Sequence, residues 1–295
     1  MRISENSMVQ DFLRNLENTR QRWLRYNQEI STGKRLHRPS DNPAESARVL
    51  RIRDEVSRAN QYFRNITAAR ARLGATDSAL NTLRNSILSI ADRVAFALNG
   101  TTDEQGRRAI AGDLRGTLDA LYQTASTTVD GYYIFSGSLI DTAPLVVSGG
   151  SYSYQGDDLA LEIEVMDGEA VRTNVSGREV FAEPASDLLN SLAALIEQLE
   201  SGDLEAARGP LQKVQDAGRV IDTARFKVGH SIKRLENAQF RLEDRLFQLT
   251  SEISGLEDAN LAESISRMVQ AETALRAAVG AGSRLRQPNL FDMLG

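Results

Sequence analysis

The 295 residues contain no cysteine, which excludes disulfides and thiolate metal sites and leaves nothing dependent on the redox state of a compartment. Histidine occurs only twice, at His37 and His230. Two imidazoles with no thiol are a poor basis for a metal or catalytic centre. Aromatic residues make up 6% of the chain, with a single tryptophan. That scarcity, beside abundant Ala, Leu, Arg, Glu and Asn, suits thin helical bundles better than a thick globular core. No apolar run approaches the ~18 residues of a membrane span, so no membrane insertion is expected. Met1-Arg2-Ile3-Ser4-Glu5-Asn6 lacks the apolar stretch of a secretory signal. The protein is thus expected to stay in the cytoplasm or to leave by a route that reads an uncleaved N-terminus.

The 41% of hydrophobic residues is enough for a packed core, and it is arranged in heptads. Val228, Ile232, Leu235, Leu242, Leu246, Leu249, Ile253 and Leu256 follow steps of four and three, interrupted at Gln239. A partner seam runs through Val49, Ile52, Val56, Ala59, Phe63, Ile66, Leu73, Leu80, Ile87, Val94 and Leu98, with Arg70, Asp77 and Arg84 as polar interruptions. At 1.5 Å per residue the later seam spans roughly 40 Å. The expected fold class is mainly α, a long antiparallel helical bundle or coiled coil formed by the N- and C-terminal regions, with a small β-rich insertion.

The two ends carry narrower stripes. Val9, Leu13, Leu16, Trp23 and Ile30 mark one helix. Leu261, Ile265, Met268, Leu275, Val279 and Leu285 mark another, and the chain closes on apolar Leu290, Phe291 and Leu294. Isolated helices of this length are marginal in water, so these segments are expected to need further cover. Gly33 ends the first helix. Pro39 and Pro43 forbid helix through the next stretch, and Ser40 or Asp41 is expected to cap the one that follows. From Gly131 to about Glu183 the pattern turns to strand, with Gly149-Gly150, Gly156-Asp157, Asp167-Gly168 and Ser176-Gly177 as turns.

No constellation for chemistry assembles. His37 with Asp41 lacks a third ligand. Asp157 and Asp158 read as a turn, Glu162 and Glu164 as the solvated face of a strand, and Gly149-Gly150-Ser151 lacks the lysine of a phosphate loop. No catalytic, metal or cofactor site is expected. From Met1 to Arg72, 15 Lys or Arg stand against 8 Asp or Glu, leaving 20 against 32 for the rest. Arg14, Arg20, Arg22, Arg25, Lys34, Arg35 and Arg38 make the front mildly basic. Mixed signs and few aromatics read as solvated helix faces, so nucleic-acid binding is the weaker alternative.

Ser31-Thr32-Gly33-Lys34-Arg35 followed by Arg38-Pro39-Ser40-Asp41-Asn42-Pro43 resembles the N-terminal signature of bacterial flagellins and their hook-associated relatives. The prolines and the opening Met-Arg-Ile-Ser are more similar to the junction branch of that family than to filament flagellin. Gly131-Tyr132-Tyr133-Ile134-Phe135-Ser136-Gly137 is similar to the entry into its outer domain. Glu257-Asp258-Ala259-Asn260-Leu261, Gln270-Ala271-Glu272-Thr273-Ala274-Leu275 and the segment from Gln287 to Leu294 resemble its C-terminal signature.

The resemblance implies a structural subunit, not an enzyme, that links a hook-associated ring to the flagellar filament. Its expected partners are identical subunits in a ring, an adjoining hook-associated protein, filament flagellin, and a cytosolic export chaperone on the C-terminal helix. Its expected location is the extracellular flagellum, reached by flagellar type III export. The expected domains are terminal axial helices (1–40 and 258–295), a helical rod (41–130 and 185–257) and an outer β-rich domain (131–184). Filament flagellin is the alternative within the class.

Overall fold

The computed structural model describes residues 2–99, 102–182 and 187–285. Four long helices dominate it: α1 (Arg2–Thr32), α2 (Pro43–Leu98), α6 (Arg208–Glu257) and α7 (Leu261–Leu285). Between α2 and α6 lie α3 (Glu104–Ala125), six short strands, α4 (Gly177–Phe181) and α5 (Leu188–Ser201). The chain divides into a central unit, Arg58–Arg245, and a terminal unit of Met1–Ser57 with Leu246–Gly295. Both cuts fall inside a helix, α2 and α6.

In the central unit α2 buries a strict heptad row. Ile66, Ala69, Leu73, Thr76, Leu80, Leu83, Ile87, Ile90, Val94 and Ala97 are all inaccessible to solvent or nearly so. The step from Phe63 to Ile66 and on to Ala69 is three and three, a phase slip that moves the seam by one residue. Thr76 fits this apolar row because its hydroxyl donates to the Arg72 carbonyl at 2.9 Å. The answering row on α6 is Val214, Ala217, Ile221, Ala224, Val228, Leu235, Ala238 and Leu242.

The four polar interruptions of the sequence are edge contacts between these helices. Arg70 donates to the Gln239 side chain at 2.8 Å, Arg225 to Asp77 at 3.1 Å and Arg84 to Asp222 at 2.9 Å. Arg70 and Gln239, the gaps in the two seams, therefore meet each other. The apolar faces of α3 (Ala111, Leu114, Leu118, Leu121, Ala125) and α5 (Leu188, Leu192, Leu195, Ile196, Leu199) complete the core. Asp103 caps α3 by accepting from Gly106 N at 2.8 Å.

The β-rich part is three separate two-stranded antiparallel hairpins. β1 (Thr128–Val129) and β2 (Tyr132–Tyr133) turn through Asp130-Gly131, both at positive φ as the tightest hairpin turn requires. β3 (Leu145–Ser148) pairs with β4 (Ser151–Tyr154), and β5 (Glu162–Met166) with β6 (Glu169–Arg172). The apolar run after Tyr133 is a plug instead of a strand: Ile134 and Phe135 are fully buried, and Phe135 meets Phe181 edge to face at 5.3 Å. Phe135 O accepts from Tyr154 Oη at 2.9 Å and Gly177 N at 3.0 Å. Gly177 is required there, since a Cβ would lie 2.2 Å from that oxygen. Ser176-Gly177, expected as a turn, instead opens α4, with Ser176 as its cap.

Candidate assembly surface

The terminal unit is organised on the signature loop. Gly33, at φ +70°, ends α1 by returning its N–H to Glu29 O at 2.8 Å. The loop then crosses to the end of α6: Arg35 N donates to Glu257 O at 2.6 Å and Ala259 N to Gly33 O at 2.9 Å. The buried carboxylate of Glu257 takes Lys34 Nζ on one oxygen and Arg53 on the other, each at 2.6 Å. Arg35 reaches both Glu45 and the Leu256 carbonyl at 2.9 Å.

Asp41 and Asn42 divide the capping work. Asp41 turns back and accepts the backbone N–H groups of His37 and Arg38, at 3.0 and 2.8 Å. These bonds, Arg38's first, hold its carboxyl below the usual aspartate range. The residue that caps α2 is Asn42, whose side chain accepts Glu45 N at 3.2 Å, with Pro43 at the first helical position. The expectation that Ser40 or Asp41 caps is thereby corrected. His37 and Asp41 meet only through backbone, and His37 Nε2 is buried with no hydrogen-bond partner among the described residues.

α1 and α7 pack antiparallel. The residues of α1 that turn inward are Phe12, Leu16, Thr19, Trp23, Tyr26 and Ile30; those of α7 are Ser264, Met268, Ala271, Leu275, Ala278 and Gly282. Both rows step by four and three. Their register is read from contacts near both ends: Ser264 Oγ donates to Glu29 at 2.8 Å, and the Phe12 ring lies against Gly282. Between them Tyr26 hydrogen-bonds the Arg267 guanidinium and raises its pKa.

Of the residues singled out for assembly, Leu16, Trp23, Ile30, Met268 and Leu275 lie in this seam, half-buried. Val9, Leu13, Ile265 and Val279 are about half exposed, as are Leu261, Leu24 and Val269. In heptad terms Leu13, Ile265 and Val279 sit immediately beside the seam and Leu24 and Val269 on the outer face of that same side. Val9 and Leu261 belong to the seam by position and are exposed because each lies at an end of the pairing. The Leu285 side chain and Leu290, Phe291 and Leu294 lie outside the described residues. The stripe read from sequence thus mixes inward and outward positions, and it missed Phe12, Thr19 and Tyr26. Heptad phase taken from Trp23 alone would have found Phe12, Thr19 and Tyr26.

Of the rod-seam residues, Ile52 and Leu249 in the terminal unit and Ile66, Val228, Leu235 and Leu242 in the central unit are buried, while Val56, Phe63, Ile232, Leu246 and Ile253 are half-buried. A signal the sequence reading passed over is phenylalanine at seven-residue spacing on α6. Phe226 and Phe240 in the central unit and Phe247 in the terminal unit are all more than 60% exposed. The basic front is largely engaged in ion pairs, Arg14 with Asp11, Arg25 with Glu29, Lys34 with Glu257 and Arg35 with Glu45. Among the described residues no group of three His, Asp or Glu is placed to hold a metal, and no helix is long and apolar enough to cross a membrane.

The profile of the bacterial flagellin N-terminal helical region matches residues 3–139. Along its whole length the chain is similar to flagellar hook-associated protein 3 of Escherichia coli K12, at 26% identity over 99% of both chains. Residues 3–139 are thus similar to the flagellin N-terminal helical region, and the whole chain is similar to a hook-associated relative. Among solved structures, a candidate flagellar hook-associated protein from Vibrio parahaemolyticus superposes with a TM-score of 0.68 at 22% identity, covering 74% of this chain and all of that one. The flagellar junction protein FlgL from Legionella pneumophila does so with a TM-score of 0.60 at 16% identity, covering 72% and 100%. These two show the shared fold. The matched residues take in the loop between α1 and α2, α2, α3 and the first hairpin.

Proposed function

We propose that this protein is a structural subunit of the bacterial flagellum that joins hook to filament, and that assembly is its whole activity. The observation that carries this reading is the outward apolar side of the α1–α7 pair. Leu13, Leu24, Ile265, Val269 and Val279 stand about half exposed on helices whose own seam is thin. Side chains of this kind in a row are stabilised when a neighbour covers them. Identical subunits placed head to tail would give that cover, and such heterologous contacts close into rings when the rotation allows. Phe226 and Phe240 in the central unit and Phe247 in the terminal unit are further exposed apolar side chains that neighbouring subunits would cover. The adjoining hook-associated protein and filament flagellin are the partners on the two sides of such a ring. The full-length similarity to a hook-associated protein supports this placement over filament flagellin.

We further infer passage through the flagellar type III export apparatus, with a cytosolic chaperone covering the C-terminal helix until export. The α7 residues Leu261, Ile265, Val269 and Val279 are the surface such a chaperone would shield. The test is deletion of residues 261–295, scoring soluble expression, chaperone capture, export and filament attachment separately. The central unit is expected to survive while chaperone capture and attachment are lost. Filaments that remain attached in the deletion strain would refute the reading.

A further inference from the structure

A pocket beside the loop between α1 and α2 joins positive charge to an apolar wall. It measures about 360 Å³ and lies wholly within the terminal unit, in the ~300–1,000 Å³ range of small binding sites. Among its lining side chains the fixed charges are Lys34, Arg38 and Arg53 against Glu257. Lys34 and Arg53 take one Glu257 oxygen each, so that carboxylate is neutralised with positive charge to spare. Arg38 adds to the excess: its backbone N–H is tied to Asp41, but its guanidinium has no partner among the described residues. Leu36, Pro39 and Leu50 supply the apolar wall, and Leu50 is 60% exposed. Such a surface selects an acidic group carried between apolar side chains.

The sequence after α7 has that composition. From Gln287 to Gly295 the sole charged side chain is Asp292, set between Leu290-Phe291 and Met293-Leu294. We propose that the pocket receives Asp292 and its apolar neighbours from a second copy of this chain; the inference deepens the assembly proposed above and rests on it. Arg38 and the excess charge at Lys34 and Arg53 face the incoming carboxylate, while Leu36 and Leu50 meet the side chains on either side of it.

The antiparallel pairing of α1 with α7 makes another copy the donor. Ser264 meets Glu29 and Gly282 lies against Phe12, so α7 runs away from the pocket and ends near the start of α1. At 1.5 Å per residue, roughly 30 Å of helix separates Phe12 from Thr32 at the pocket's edge. Asp292 stands seven residues beyond Leu285, and seven residues span at most ~25 Å. The chain's own aspartate therefore falls short of the pocket. A copy placed end to end with the first has no such gap, because its outgoing segment starts where the neighbour's loop lies. Contacts of this kind are heterologous and pass from one subunit to the next.

Because the chain has no cysteine, one thiol on each side reports the contact. Full-length Leu50→Cys and Phe291→Cys subunits are mixed in equal amounts and joined with a short bismaleimide. The mixed dimer is expected to exceed each symmetric dimer about tenfold, and Arg38→Glu on the pocket side to cut it about tenfold, as repulsion does when it replaces attraction. Asp292→Asn on the other side should lower it less, since it removes attraction without adding repulsion. Asp292→Arg is expected to restore the yield against Arg38→Glu, which a merely unfolded loop would not allow. A mixed dimer no commoner than chance, or one indifferent to all three substitutions, overturns the proposal. So does a chain carrying both cysteines that closes on itself, since the occupant would then be its own segment. The cross-link is read on purified subunit: its absence from protein that still holds filaments to hooks sinks the contact and leaves the proposed function standing, whereas the expected cross-link from protein that has no part in the flagellum sinks that function and leaves the contact.

Discussion

Along α2 in the central unit every seam residue from Ile66 to Ala97 is buried, and the row consists mostly of Leu, Ile and Val. In the α1–α7 pair of the terminal unit only Glu29, Ser264 and Ala271 are buried, and half of the inward α7 positions are Ala or Gly. The first region lies against both α6 and α3, whereas the seam of the second is that of a single helix pair. Side-chain burial in the central unit therefore offsets the cost of ordering it, whereas the terminal pair gains little from its own contacts. A helix pair that gains little alone is well suited to gain more from neighbours.

The contrast is sharpest in amide exchange. In the isolated subunit, amides of α2 from Leu73 to Val94 are expected to exchange only through global unfolding, and those of α1 and α7 several orders of magnitude faster through local opening. Equal protection of the two regions in a dilute subunit would remove the physical basis for assembly-driven ordering. Next in size is the core itself: Leu83, fully buried, changed to Ala should lower the stability of the central unit by about 3 kcal/mol in a denaturant titration. Leu275→Ala, in the half-buried seam, should lower that transition hardly at all. A comparable loss from both substitutions would show that the two regions unfold as one.

Glu257 offers a smaller test within the terminal unit. Its carboxylate is 6% exposed, and its partners Lys34 and Arg53 are 44% and 54% exposed. Those cations retain much of their solvation when the anion is removed, so Glu257→Gln is expected to cost about 1–2 kcal/mol, well under the 3–5 of a fully buried pair. The measured effect should appear in exchange at Gly33 to Arg35 and Ala259, and leave the central unit unchanged. Smaller again is the α2 cap, where Asn42→Ala should cost about 1 kcal/mol and Ser40→Ala almost nothing. The reverse order would reinstate Ser40 as the cap.

How far these features could be read in advance follows from their physics. The long seams were legible because Leu, Ile and Val recur at heptad spacing, and every seventh residue from Leu73 to Val94 is where that count puts it. The residues between were misassigned by one position, since the seam slips between Ile66 and Ala69 and fills with Thr76 and Ala238, which hydrophobicity does not mark. The face of α7 was harder to read, because its inward row mixes Met268 and Leu275 with Ser264, Ala271, Ala278 and Gly282, and the partners of Ser264 and Gly282, Glu29 and Phe12, lie more than 200 residues away in sequence. Asn42, by contrast, could have been read, because Pro43 at the first helical position puts the cap one residue before it. Two of the three hairpins were visible from their Gly turns, Gly149-Gly150 and Asp167-Gly168, but Phe135 as a buried plug depends on Phe181 and Gly177, which no local pattern links to it.

The last and smallest effect concerns how the β5–β6 hairpin is held in the central unit. Tyr62 on α2 donates its hydroxyl to Asp167 at 2.7 Å, while Arg241 on α6 pairs with Glu169. The bond to Asp167 pushes the Tyr62 pKa from 10.0 up to about 12, because ionising the phenol would set two anions against each other. The unfolded chain therefore loses this proton at lower pH than the folded one. The contribution of Tyr62 is complete below pH 10, falls as pH rises from 10 toward 12, and is absent above that range. Since the side chain is solvated, the readout is its titration and not global stability. Of the seven tyrosines, Tyr62 is expected among the last to ionise, and Tyr62→Phe should remove that late step from the tyrosinate absorbance curve. Asp167→Asn should return it toward 10 while Glu169→Gln leaves it in place. A late step that survives Tyr62→Phe would belong to another tyrosine, and the clamp would then rest on the Arg241 ion pair alone.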